Sequence, residues 1–147
     1  MPTKRYKHYI GIDPGTHTGI AVWNVEEQKL EDYFTSVFWG CIDYLKGAVV
    51  VLEGLRVLVE DPNQIKPTFN RWQSRRVNET ISQRVGMNKR DAQLILEFCE
   101  RNLIDAAGVK PETTKWTAQM LKEITGIDKR TSQHTRDAIK LVWGLRG

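Results

Sequence analysis

The stretch YIGIDPGTHTGIAVWN, residues 9–24, restricts the fold more than any other part of the sequence. It holds two mostly apolar runs joined by a turn rich in glycine and threonine. Alternating apolar runs joined by such a turn are typical of a β-hairpin. The first run ends in Asp13, and a buried carboxylate without a partner is strongly destabilising. The sequence therefore predicts a sheet that begins with a hairpin and carries, at a strand end, an acid that needs a partner or a metal.

The remaining periodicity predicts a mixed α/β sheet covered by helices. Residues 63–87 are polar, basic and only weakly periodic, which indicates a long loop with some helical content. Residue 126 is a glycine just past the third predicted helix, a common stop signal. The predicted strands are 6–13, 18–24, 30–36, 55–61 and 103–109, and the predicted helices are 38–51, 88–102, 113–125 and 131–143. The first three strands are expected to form an antiparallel meander.

Length and composition favour a single globular domain spanning residues 1–147. Hydrophobic residues make up 40% and charged residues 27%, and no apolar run approaches the length of a membrane span. The N-terminal residues show no signal peptide. Cys41 and Cys99 are isolated in apolar surroundings, which favours buried thiols in a reducing compartment. We therefore expect a cytoplasmic protein.

Positive charge is concentrated in one segment, residues 63–90. The net charge is +4, and this segment has one acid, Glu79, against seven basic residues. Such a segment indicates binding to a phosphate backbone, and Phe69 and Trp72 within it can stack on an unpaired base. The alternative is that Trp72 covers the edge of the core and the arginines only solvate a loop. The basic residues are Lys66, Arg71, Arg75, Arg76, Arg84, Lys89 and Arg90.

Partners for Asp13 are offered at two other places. Glu60 and Asp61 close the fourth predicted strand and point to opposite faces, so only one of them can join Asp13. Periodicity does not decide which, because this strand can be buried on both faces. His134 and Asp137 lie three residues apart on one face of the last helix. Converging carboxylates with one imidazole suit Mg²⁺ or Mn²⁺. Taken singly, each residue is equally compatible with a turn, a solvated strand end or a wet helix face.

Three motifs in this order resemble a known family. IGIDPGTHTGIAV, then VLVED, then a C-terminal HTRDAIKL is similar to the RNase H-like nucleases, and within them to the RuvC-type Holliday-junction resolvases. The resemblance covers nearly the whole chain. It implies an RNase H-like five-stranded mixed sheet, in which two parallel strands join the three-stranded meander, flanked by helices. It also implies a homodimeric endonuclease of DNA recombination and repair that cuts four-way junctions, because two symmetric cuts need two active sites.

The same resemblance implies roles for individual residues. Asp13, Glu60 and Asp137 would be the metal-binding and catalytic acids, with His134 as a fourth catalytic and metal-site residue. Lys115, in VKPETTK, would lie near the DNA backbone. The cofactor would be Mg²⁺ or Mn²⁺, with two ions per active site. Two divalent ions can activate a water, neutralise the phosphorane and stabilise the leaving oxygen. The short linker after Lys115 and the distinct basic segment depart from the cellular enzymes, as in a compact viral or mobile-element member.

Three other functions remain open at this point. One is an RNase H-like nuclease acting on RNA, an RNA–DNA hybrid or flaps. Another is a non-catalytic DNA-binding module on the same fold, which retention of all the acids disfavours. A third is a nucleotide-binding module of the actin-like ATPase type, whose phosphate loop also contains D-x-G-T. That class needs a second, similar domain, for which 147 residues leave no room.

Overall fold

The computed structural model of this chain describes residues 5–65 and 75–147; over residues 75–82 it describes a helical backbone but not the side chains. None of the helices in these ranges is both long and apolar enough to cross a membrane. Along the described chain the elements are β1 (His8–Asp13), β2 (Thr18–Asn24), β3 (Lys29–Ser36), α1 (Phe38–Val51), β4 (Leu55–Glu60), a 3₁₀ turn (Pro62–Gln64), α2 (Arg75–Arg101), β5 (Asp105–Val109), α3 (Ala118–Thr125) and α4 (Gln133–Val142).

The strands form one mixed sheet in the order β3-β2-β1-β4-β5. Strands β1, β2 and β3 make an antiparallel meander, and β4 pairs in parallel with both β1 and β5. The predicted α/β architecture is thereby confirmed. In the register of β1 with β4, Ile12 lies opposite Val59. The residues that follow, Asp13 and Glu60, therefore end neighbouring parallel strands at the same edge of the sheet.

Helices cover both faces of the sheet, and the alternation of side chains along each strand divides the core in two. Ile10, Ile12, Val57 and Val59 pack in a cluster with residues of α1 and α2. Tyr9 packs in a second cluster with residues of α3 and α4. The two cysteines, as predicted, are free buried thiols in the first cluster.

Two helices begin more than two residues away from their predicted starts. Helix α2 begins at Arg75, so the predicted loop over residues 75–87 is wrong, although the sequence allowed some helix there. A long helix tolerates this weak apolar period because much of it lies at the surface, where residues 83, 84, 86 and 87 are exposed. Helix α3 begins only at Ala118, because the Thr117 side chain caps it by accepting from the Met120 amide. The helix predicted from residue 113 is therefore wrong in its first turn.

Helix α4 lies very close to the sheet, and two glycines make this possible. A Cβ at Gly11 would lie 2.4 Å from the Ala138 carbonyl oxygen, and one at Gly19 would lie 2.0 Å from the His134 carbonyl oxygen. Glycine in a strand often marks such an approach of another backbone. Any side chain at either position would push α4, and the acid that it carries, away from β1 and β2.

Candidate metal centre

Three buried carboxylates converge at the edge of the sheet where β1 and β4 end. Asp13, Glu60 and Asp137 each offer a carboxylate oxygen, and these oxygens all lie within 4.8 Å of one another. The residues are only 7%, 7% and 8% exposed. Buried acids at this spacing repel one another unless protons or cations neutralise them. Three carboxylates match the oxygen ligands that Mg²⁺ and Mn²⁺ prefer, so the donor set fits the expected metal.

Strand parity explains why Asp13 and Glu60 face the same side. Asp13 lies two residues after Gly11, whose Cα faces Ala138 of α4. Glu60 lies two residues after Leu58, which packs in the α4 cluster. Asp61 instead turns away and caps the 3₁₀ turn by accepting from the Asn63 amide at 3.0 Å. Periodicity left open whether Glu60 or Asp61 joins Asp13, and in the structure it is Glu60.

The third acid comes from the sheet-facing side of α4. Ser132 caps this helix by accepting from the Thr135 amide at 3.1 Å. Ala138, Ile139 and Val142 are fully buried on its inner side. Asp137 is also buried, and the Gln133 side-chain amide donates to its Oδ1 at 2.7 Å. One oxygen of Asp137 is thus oriented by its own helix.

His134 joins the site through Asp13. Its Nδ1 lies 2.8 Å from Asp13 Oδ2, and the imidazole packs over the turn after β1, where a Cβ on Gly15 would lie 2.6 Å from the ring. The hydrogen bond with Asp13 raises the pKa of His134 above its usual value, against the effect of burial. The cluster of mutually close ligand atoms consists of the three acids, so in the described structure His134 orients Asp13 from beside the cluster.

The acidity of Asp13 is perturbed by its surroundings. Burial raises its pKa to about 7, the hydrogen bond from His134 opposes the rise, and the charge of Glu60 adds to it. Without a cation, Asp13 therefore keeps its proton to a higher pH than an ordinary aspartate. A divalent ion would favour the ionised form, since an adjacent positive charge stabilises a carboxylate.

Lys115 lies at the same centre. Its Nζ is 3.0 Å from Glu60 Oε1 and 3.3 Å from Asp137 Oδ2. Burial lowers the pKa of Lys115, but the contacts with Glu60 and Asp137 outweigh burial and raise it overall. The sequence resemblance indicated a lysine near the DNA backbone; in the structure, this lysine contacts two of the acids.

The remaining predicted DNA-binding residues are distributed along α2 and the segment before it. Lys66, Phe69, Arg71 and Trp72 lie outside the described residues. Arg75 and Arg76 begin α2, with described backbone only. Arg84 and Arg90 are exposed and Lys89 is partly exposed. The described side chains of Arg84, Lys89 and Arg90 are not among those that contact the three acids.

Sequence reasoning missed the residues that hold the Lys115 segment against α4. Lys140 Nζ donates to the Thr114 carbonyl oxygen at 2.6 Å, and Arg136 Nε donates to the Trp116 carbonyl oxygen at 3.0 Å. Both basic residues flank Asp137 in the sequence, and that is the only signal that would have drawn attention to them. Their contacts cross from one element to another, so no local pattern predicts them.

Comparison with known protein families and with curated proteins finds no match to this chain.

Proposed function

We propose that this protein is a metal-dependent endonuclease that hydrolyses a phosphodiester bond in branched DNA, with the four-way junction as its substrate. The observation that carries the proposal is the convergence of Asp13, Glu60 and Asp137, from two strands and a helix, within 4.8 Å. Burying three carboxylates together is costly even with His134 and Lys115 beside them, so such a cluster is a candidate functional site. The resemblance of three sequence motifs to Holliday-junction resolvases indicates that this function is cleavage of a DNA junction.

The metal, when bound, would activate water and neutralise the charge that develops on the phosphate. Asp13, at the end of the central strand, would be one of the residues that hold the metal. Glu60, from the neighbouring strand, and Asp137, from the covering helix, would be the other two. His134 holds Asp13 through Nδ1 at 2.8 Å and is a candidate for moving a proton.

The basic segment supports DNA as the substrate. It begins within a few residues of Glu60 in the sequence and continues into α2. Arg84, Lys89 and Arg90 therefore lie on a long helix that follows the candidate metal centre in the sequence. Lysine and arginine contacts to phosphates supply affinity without sequence information. A branched substrate with two equivalent strands would need two copies of the chain, so we propose a homodimer as the active form.

The test is cleavage of labelled DNA in the presence of Mg²⁺, Mn²⁺ or EDTA, with a four-way junction, a flap, a linear duplex and an RNA–DNA hybrid in parallel. We expect metal-dependent cuts, paired across the junction, with the junction preferred. Asp137→Asn should reduce the rate at least 100-fold, because it removes one ligand of the centre. Asp128→Asn is the matched control, since Asp128 is an exposed acid that pairs with Lys122 at 3.5 Å.

Each failure of this assay has a distinct meaning. Preferred cleavage of the hybrid or the flap would replace the substrate while keeping the nuclease. Junction binding without cleavage under any metal would indicate a non-catalytic DNA-binding module. Equal activity of Asp137→Asn and wild type would remove the metal centre from the mechanism.

A further inference from the structure

The position of Lys115 raises a question about how a metal reaches this centre. Its ammonium donates to Glu60 Oε1 at 3.0 Å and lies 3.3 Å from Asp137 Oδ2. Both oxygens belong to residues of the carboxylate cluster. A single positive charge is therefore shared between two of the three acids that a divalent ion would bind.

Hydrogen bonds from α4 hold the backbone on both sides of Lys115. The carbonyl before it, on Thr114, accepts from Lys140 at 2.6 Å, and the carbonyl after it, on Trp116, accepts from Arg136 at 3.0 Å. Both donors lie on α4 and flank Asp137. The backbone on either side of Lys115 is thus hydrogen-bonded to the helix that carries one of its partners, whereas the side chain itself is partly exposed.

This ion pair differs from an ordinary surface salt bridge. Exposed pairs contribute little because water screens them. Here the side chains of Glu60 and Asp137 are each only 9% exposed, whereas that of Lys115 is 41% exposed. The acids need a counter-charge because they are buried together, while the lysine has a solvated position available. A flexible ammonium is suited to such an exchange, since it is a point charge on a four-carbon stem.

We infer that Lys115 is a displaceable counter-cation that competes with the divalent metal for Glu60 and Asp137. This inference rests on the proposed function, because it assigns Lys115 a role in loading the metal centre. In the metal-free protein, Lys115 holds the two acids in place. On metal binding it leaves them and becomes free to contact a phosphate of the DNA. By linkage, a phosphate that attracts Lys115 favours metal binding, and metal binding favours the phosphate contact to the same extent.

The test is a Mn²⁺ titration of the intact protein without DNA, by isothermal titration calorimetry and by the metal-induced rise in melting temperature. We compare wild type, Lys115→Met and Lys110→Met. Lys110 is exposed and lines the same cavity of about 130 Å³ beside Glu60 and Asp137, so its variant removes an equal charge nearby. We expect Lys115→Met to bind Mn²⁺ at least 5-fold more tightly than wild type, and Lys110→Met to differ from wild type less than 2-fold.

The outcomes separate this inference from the proposed function. Equal tightening in both variants would show a general charge effect and would overturn the role of Lys115, as would unchanged or weaker binding in Lys115→Met. Absence of Mn²⁺ binding in all three proteins would overturn the metal centre itself. If Lys115→Met fails to fold, Lys115→Gln serves in its place, because a neutral amide can still donate to Glu60 without supplying the charge.

Discussion

Replacing Asp13 by asparagine should abolish cleavage and, at the same time, stabilise the metal-free protein at alkaline pH. Asp13 is buried, with a pKa raised to about 7 from an ordinary value of 3.8. Each unit of difference corresponds to about 1.4 kcal/mol. Ionised Asp13 therefore destabilises the fold by up to about 4 kcal/mol relative to a solvated aspartate. Asparagine keeps the shape and removes the ionisation.

The gain in stability of Asp13→Asn should be smaller than this destabilisation, because the new amide must also find hydrogen-bond partners. His134 Nδ1, 2.8 Å from Asp13 Oδ2, can donate to the amide oxygen, and the amide nitrogen can donate toward Glu60. We expect the free energy of unfolding of Asp13→Asn to exceed that of wild type by about 1–3 kcal/mol at pH 8.

The pH dependence follows from the sign of the shift. A raised folded-state pKa means that the folded protein binds the proton more tightly, so this contribution to stability is complete below pH 3.8 and is lost as pH rises to about 7. His134, whose pKa is also raised, changes stability in the same direction. Wild-type stability in EDTA should therefore fall as pH rises from 5 to 8. Asp13→Asn should lose less stability over this range, so the difference in free energy of unfolding between the variant and wild type should shrink toward pH 5.

Urea denaturation in EDTA at pH 5 and pH 8, repeated with Mg²⁺, measures all three effects. Mg²⁺ should stabilise wild type by binding its folded state and should have little effect on the variant. Junction cleavage, assayed alongside, should be undetectable in Asp13→Asn. A variant that is less stable than wild type at pH 8 in EDTA would refute the reasoning about buried charge. Retained cleavage would refute the role of Asp13 as a ligand.

Two further predictions concern the support of the site and the DNA surface. Gly19→Ala should lower the free energy of unfolding by at least about 2 kcal/mol and reduce cleavage, because the new Cβ would meet the His134 carbonyl oxygen at 2.0 Å. Gly47→Ala, in α1, is its control: an added Cβ there would meet no atom of another element within 4 Å, so the change should be neutral or slightly stabilising in urea denaturation. Arg75→Ala combined with Arg76→Ala should weaken junction binding and lower the slope of log affinity against log salt by roughly 1–2. An unchanged affinity and slope in a salt titration would remove these two arginines from the DNA interface.

The sequence alone was sufficient for most of the fold, since the signals are local. The hairpin 9–24 has the alternation of strands, the last helix has a clean apolar side, and Gly126 ends α3 with φ of 81°. Local signals did not predict where a helix begins when its first turns are exposed or when a side-chain cap sets its start. The start of α2 at Arg75 has no strong apolar period, and the Thr117 cap shortens α3.

Sequence and tertiary structure contributed differently to the candidate site. Motif resemblance named Asp13, Glu60 and Asp137, and strand parity left open only the choice between Glu60 and Asp61. Their approach within 4.8 Å depends on the parallel register of β1 with β4 and on glycines that admit α4. The position of Lys115 on two of the acids depends on contacts between α4 and a segment about twenty residues earlier. Residue type and periodicity are properties of a segment, so the sequence determined the elements and the candidate acids. Distances between segments depend on how the elements pack, so only the tertiary structure decided which charges meet.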